Sequence, residues 1–125
     1  WIWLPISIII LLSIYITELG KPILLNDEKK SATIINQIPK NLILASEEII
    51  ISKCSMCHAK EPLWENLNIP PKMVILETKE DIIKHIDGIY SQVVASYAMP
   101  PGNVTFIESS ERQTLNSLYK KIKEL

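Results

Sequence analysis

The chain of 125 residues reads as all-α: one apolar helix of membrane length, then a small helical domain. Three observations predict this. An uncharged run opens the sequence, apolar residues further on recur at helical spacing, and no stretch alternates apolar and polar residues as a strand would.

Residues 1–17, "WIWLPISIIILLSIYIT", carry no charge, and the first charged side chain is Glu18. That length nearly spans a bilayer as helix. Trp1, Trp3 and Tyr15 stand near its two ends, where amphipathic rings favour the headgroup level. Pro5 is near enough to the start to be tolerated. A secretory leader would show an initiator Met, a basic leading region and a small-residue cleavage site, and these are missing. A chain beginning with Trp also reads as a piece of a longer one. Gly20, Lys21 and Pro22 are expected to end the helix. The organisation is therefore a transmembrane helix over 1–20, a tether with a short helical turn over 21–45, and a domain over 46–125.

In the domain, Ser46 is expected to cap a helix, with Glu47 and Glu48 in its first turn where the dipole favours anions. This helix runs through "EEIIISKC" into the cysteines. A second helix is signalled by "TKEDIIKHIDGIYSQVVAS", with Thr78 as cap and Asp81 three residues on. Ile82, Ile83, Ile86, Tyr90, Val93 and Val94 form its apolar stripe, and Gly88 weakens it. A last helix is expected from Ser109 or Ser110, carrying Leu115, Leu118, Tyr119 and Ile122 at the spacing i, i+3, i+4, i+7. A domain of this size rests uneasily on its apolar core alone, so something else is expected to fill it.

Charge excludes one class of function. Thirteen Lys and Arg stand against fourteen Asp and Glu, too even a balance to steer the chain to nucleic acid. Arg112 is the only arginine, where a phosphate- or base-reading surface would favour the guanidinium fork.

Chemistry concentrates in "CSMCH" at 54–58, which holds both cysteines and one of the two histidines. Cysteines at i and i+3 on a helix face the same side, and a histidine directly after them completes C-x-x-C-H, the attachment pattern of a c-type haem. Each thiol adds across one haem vinyl group, and the next residue is then held beneath the iron. Cys54 and Cys57 are the expected thioether positions and His58 the proximal ligand. The alternatives fit less well. A redox dithiol needs a βαβ context, a structural zinc would have to recruit His85 across a predicted helix, and a disulfide leaves His58 unexplained.

An electron carrier wants a sixth iron ligand, and methionine opposite histidine raises the potential. Met56 lies between the cysteines, and Met73 follows the "PPK" turn. Met99 sits in "YAMPPGN", a loop stiffened by Pro100 and Pro101 and turned by Gly102. A rigid loop lowers the entropic cost of a weak iron–thioether bond, so Met99 is the expected sixth ligand, with His85 the runner-up. The free nitrogen of His58 is expected to donate to a carbonyl at Pro70 or Pro71. Trp64 is expected against the porphyrin edge. Lys53, Lys60 and Lys72 surround the site in sequence, as a docking rim or simply as solvated side chains. The sequon "NVT" at 103–105 is read as chance.

Over about residues 47–123, "CSMCHAKEPLW", "PPKMVILET" and "AMPPGNVT", in that order, resemble the cytochrome c domain at the C-terminus of the membrane-bound urate oxidases (urate hydroxylases). The resemblance implies a class I-like cytochrome c fold whose first and last helices cross beside the haem. It implies one haem c, covalent at Cys54 and Cys57 and ligated by His58 and Met99. It also implies that residues 1–17 are the last helix of a membrane domain that oxidises urate to 5-hydroxyisourate, a step of purine catabolism, and feeds electrons through the haem toward a respiratory oxidase. Two positions depart from the family: Met73 stands where glycine is expected, and Tyr97 where histidine is expected.

The expected function is thus a membrane-tethered monohaem electron-transfer module of a urate oxidase, with no substrate chemistry of its own. Its partners would be the urate-oxidising domain and a cytochrome oxidase, and it would sit in a bacterial inner membrane with the haem domain on the periplasmic side. The alternative is a free-standing anchored cytochrome c that shuttles electrons between respiratory complexes. A third reading is a thiol or metal module without haem.

Overall fold

A computed structural model describes the backbone of residues 3–125 and the side chains of residues 5–16 and 28–125. The described backbone is helical, with turns and loops and no strand, so the all-α expectation is met. The chain divides into two compact units, Trp1–Lys30 and Ser31–Leu125.

Helix α1 is assigned over Trp3–Gln37. In the first unit its described apolar side chains, from Ile6 to Ile16, are exposed. Among the described residues no helix is long and apolar enough to cross a membrane. The ends of the expected span, at 1–4 and 17–20, lie outside the described side chains.

The tether expected over 21–45 is corrected: α1 continues to Gln37, and a second helix, α2, starts at Lys40. Burial supplies the reason in the second unit. Ile34 and Ile35 pack against the domain core and Ile38 is buried in it, so tertiary contact makes helix of a segment whose composition reads as linker. The break comes at Pro39, the residue before α2 (Lys40–Lys53). Proline cannot supply the amide a continuing helix would need, but it is tolerated at a helix start. Ser46 is therefore not a cap. It lies mid-helix, fully buried, and its hydroxyl has no hydrogen-bond partner.

After α2 comes the single turn α3 (Ser55–His58), a 3₁₀ turn at Pro71–Met73, then α4 (Lys79–Lys84) and α5 (Ile86–Ile89). A π turn at Tyr90–Ala95, a 3₁₀ turn at Pro101–Asn103 and α6 (Ser109–Lys123) complete the unit. The expected capping box forms as read: Thr78 accepts from the Asp81 amide at 3.1 Å, and Asp81 accepts from the Thr78 amide at 3.1 Å. The single helix expected from there is broken at His85, where ψ opens to 13°. The wider π turn follows, keeping Val93 in the core while Tyr90 stacks on Tyr119 at 3.9 Å. Helix α6 begins at Ser109 as expected, but its cap is Glu108, in a reciprocal box with Glu111.

The core is built from α2, the α4–α5 segment and α6, with Ile50, Ile82, Leu115 and Leu118 almost wholly enclosed. Helix α2 packs chiefly on α6. That pairing fixes where α2 ends, and the cysteine motif starts there.

Candidate functional site

Cys54 is the residue on which α2 closes, its amide donating to the Ile50 carbonyl at 2.9 Å. Its own carbonyl accepts from Cys57 at 3.2 Å and from His58 at 2.9 Å, winding "CSMCH" into one turn. Neither cysteine is in a disulfide. Burial first, and then the neighbouring Cys57, push the Cys54 thiol up to about 12, against a smaller downward pull from Arg112. Burial also raises Cys57. Thiols held in the protonated form are the opposite of an activated redox dithiol, which needs its thiolate stabilised.

His58 is oriented from two sides. Its carbonyl accepts from the Leu76 amide at 2.7 Å, and its Nδ1 lies 3.0 Å from the Val74 carbonyl. A carbonyl only accepts, so Nδ1 carries the proton and Nε2 keeps its lone pair for another partner. The acceptor expected at Pro70 or Pro71 is thus Val74 instead. Those two proline carbonyls close the 3₁₀ turn by accepting from Met73 and Val74, at 3.0 and 3.1 Å.

Met99 approaches from the other half of the domain. Its amide donates to the Gln92 carbonyl at 2.9 Å, and its carbonyl accepts from Arg112 Nη1 at 3.2 Å. Between this loop and the cysteine turn lies an apolar cleft with about 640 Å³ of empty space, mouth included. Cys54, Cys57 and His58 line one part of it, and Met99, Pro100 and Pro101 another. Trp64 and Leu67 complete an apolar wall, and Thr105 adds a buried hydroxyl without a partner. All four residues expected to hold a haem therefore meet at one cavity, although Met99 is separated from His58 by 41 positions of sequence.

The other candidates stay apart. Met56 and Met73 are exposed and His85 is not on the cleft wall. Among the described residues no three of His, Cys, Asp and Glu converge as metal ligands, which leaves the zinc alternative without its donor set. Lys53 is drawn back by the Phe106 carbonyl at 3.2 Å and Glu111 at 3.7 Å, so it is not a solvated member of a lysine rim. Sequence reasoning missed Arg112, which is not on the cleft wall but donates to the Met99 carbonyl. One signal was present: a cation within the first turns of a helix, where the dipole disfavours it, invites a search for other partners.

No protein-family model, no curated protein and no solved structure matches this chain.

Proposed function

We propose that this chain is a monohaem c-type cytochrome module with a class I-like fold, passing electrons from urate oxidation in a membrane domain to the respiratory chain. The observation that carries the haem reading is the shared cleft: both thiols and the oriented His58 face the same apolar cavity as Met99. The cavity suits a flat apolar group, the two thiols suit a covalent anchor, and a protonated Nδ1 leaves Nε2 as a donor to iron. Haem c held there supplies a one-electron ferric/ferrous couple. Cys54 and Cys57 would anchor it, each adding S–H across a vinyl double bond to give two thioethers with no leaving group. His58 and Met99 would hold its iron, and Trp64, Leu67 and Pro71 on the cleft wall would keep water from it.

The urate-linked part of the proposal rests on the three quoted motifs, and the inner-membrane placement on the uncharged run at 1–17. In membranes carrying the full-length parent chain, anaerobic addition of urate is expected to reduce a c-type haem. If dithionite reduces that haem and urate does not, the free-standing respiratory carrier takes its place. Independently, Met99→Ala is expected to abolish the far-red charge-transfer band of Met-ligated ferric haem and lower the potential; an unaltered band would remove Met99 from the iron.

A further inference from the structure

Arg112 is the one charged residue buried among the described residues, at 6 % exposure. It is the fourth residue of α6, and its guanidinium reaches out of that helix rather than along it. Nη1 donates to the carbonyl of Val93 and, at 3.2 Å, to that of Met99. The guanidinium carbon lies 4.4 Å from the centroid of the Tyr97 ring. Val93 is among the last four residues of the π turn, whose carbonyls have no partner further along the helix. A cation there satisfies a carbonyl and complements the negative helix end.

The consequence for Met99 is specific. Its peptide is held on both sides, the amide by Gln92 and the carbonyl by Arg112. Tyr97, two residues earlier, takes a left-handed φ of 57° beneath the guanidinium. Such a backbone is costly for a side chain larger than glycine and needs its surroundings to hold it. Arg112 therefore touches three residues of the short stretch that delivers the thioether, and the partners of its hydrogen bonds are carbonyls, which do not cancel its charge.

We infer that Arg112 is a positioning residue for the sixth ligand: it clamps the Met99 loop against α6, and its charge favours the reduced state of the group held in the cleft. This rests on the haem reading above. A weak iron–thioether bond stays closed only if the loop has nowhere else to go, and the clamp removes that freedom.

The test uses matured holoprotein, as wild type, Arg112→Gln and Arg112→Lys, with carbon monoxide as the probe of an open sixth position. Losing a charge-assisted bond to a buried carbonyl is expected to raise the carbon monoxide binding rate of ferrous Arg112→Gln by roughly tenfold or more, since each tenfold needs only about 1.4 kcal/mol. Its potential is expected to fall. Arg112→Lys keeps the charge without the planar fork, so its binding rate rises while its potential stays nearer to wild type. A merely structural arginine would lower the unfolding midpoint and leave both readouts unchanged. Should the Gln variant fail to fold, seen as lost far-ultraviolet helicity, the Lys variant alone decides by the same two readouts. Wild-type holoprotein without the charge-transfer band overturns the Met99 reading and the clamp with it. Wild type with the band, beside variants whose carbon monoxide rate and potential are unchanged, overturns the clamp alone.

Discussion

Two single residues show how local chemistry sets local structure here. Met73 has φ 56°, in the left-handed region, and is 67 % exposed. A backbone of that kind suits glycine. A side chain there costs about 1 kcal/mol. Met73→Gly is therefore expected to leave stability unchanged or raise it, despite glycine's greater freedom in the unfolded chain. A clear drop in the denaturant midpoint would contradict this. His85 gives a pH dependence. Burial first, and then the charge of Lys84, lower its pKa from 6.5, with Asp81 opposing. Below pH 6.5 the unfolded chain takes up a proton that the folded chain resists, so ν_U exceeds ν_N and stability rises with pH in that window. The stability is fully present above pH 6.5 and is lost as pH falls toward the lowered folded value. His85→Gln should flatten the slope of stability against pH just below 6.5; an unaltered slope would place the titration elsewhere.

Among the elements, the α2–α6 pairing matters most, because it sets the place where the cysteine turn leaves the core. Leu118 on α6 is fully enclosed. Truncation to alanine leaves a cavity as well as losing apolar burial, so Leu118→Ala is expected to cost about 2–5 kcal/mol in chemical unfolding. A loss under 1 kcal/mol, on the order of a surface change, would mean the two helices do not share a rigid core. The cap boxes were legible at this level to different degrees. Thr78 with Asp81 was plain, since a box is made within four residues and needs nothing else. The start of α2 was not. Serine before two glutamates reads as a cap, and only the packing around Ser46 shows that it is buried instead. Helix through 31–37 was hidden for the same reason, its stability coming from Ile34, Ile35 and Ile38 against a core formed much later in the chain.

For the molecule overall, the sequence was most informative where one short motif carries a whole chemistry. C-x-x-C-H points to Cys54, Cys57 and His58 without any folding argument, the rigidity of "AMPPGN" points to Met99, and all four line one cleft. The contacts that orient these side chains were out of reach. Val74 and Arg112 lie 16 and 13 positions from the residues they hold, and only the fold makes them neighbours. Acceptors on the backbone leave no trace in side-chain identity, so Val74 had no signal to offer. Arg112 had a faint one in its place near a helix start.

Everything proposed for the site depends on a covalent haem at Cys54 and Cys57. Intact mass of the chain, expressed with a haem-attachment system, tests it in one step. The expected result is a gain of one haem with no free thiol left to alkylate, and loss of that gain in the Cys54→Ala/Cys57→Ala double variant. A wild-type chain at its unmodified mass, with both thiols alkylated, would contradict the haem reading and return the cleft to other chemistry.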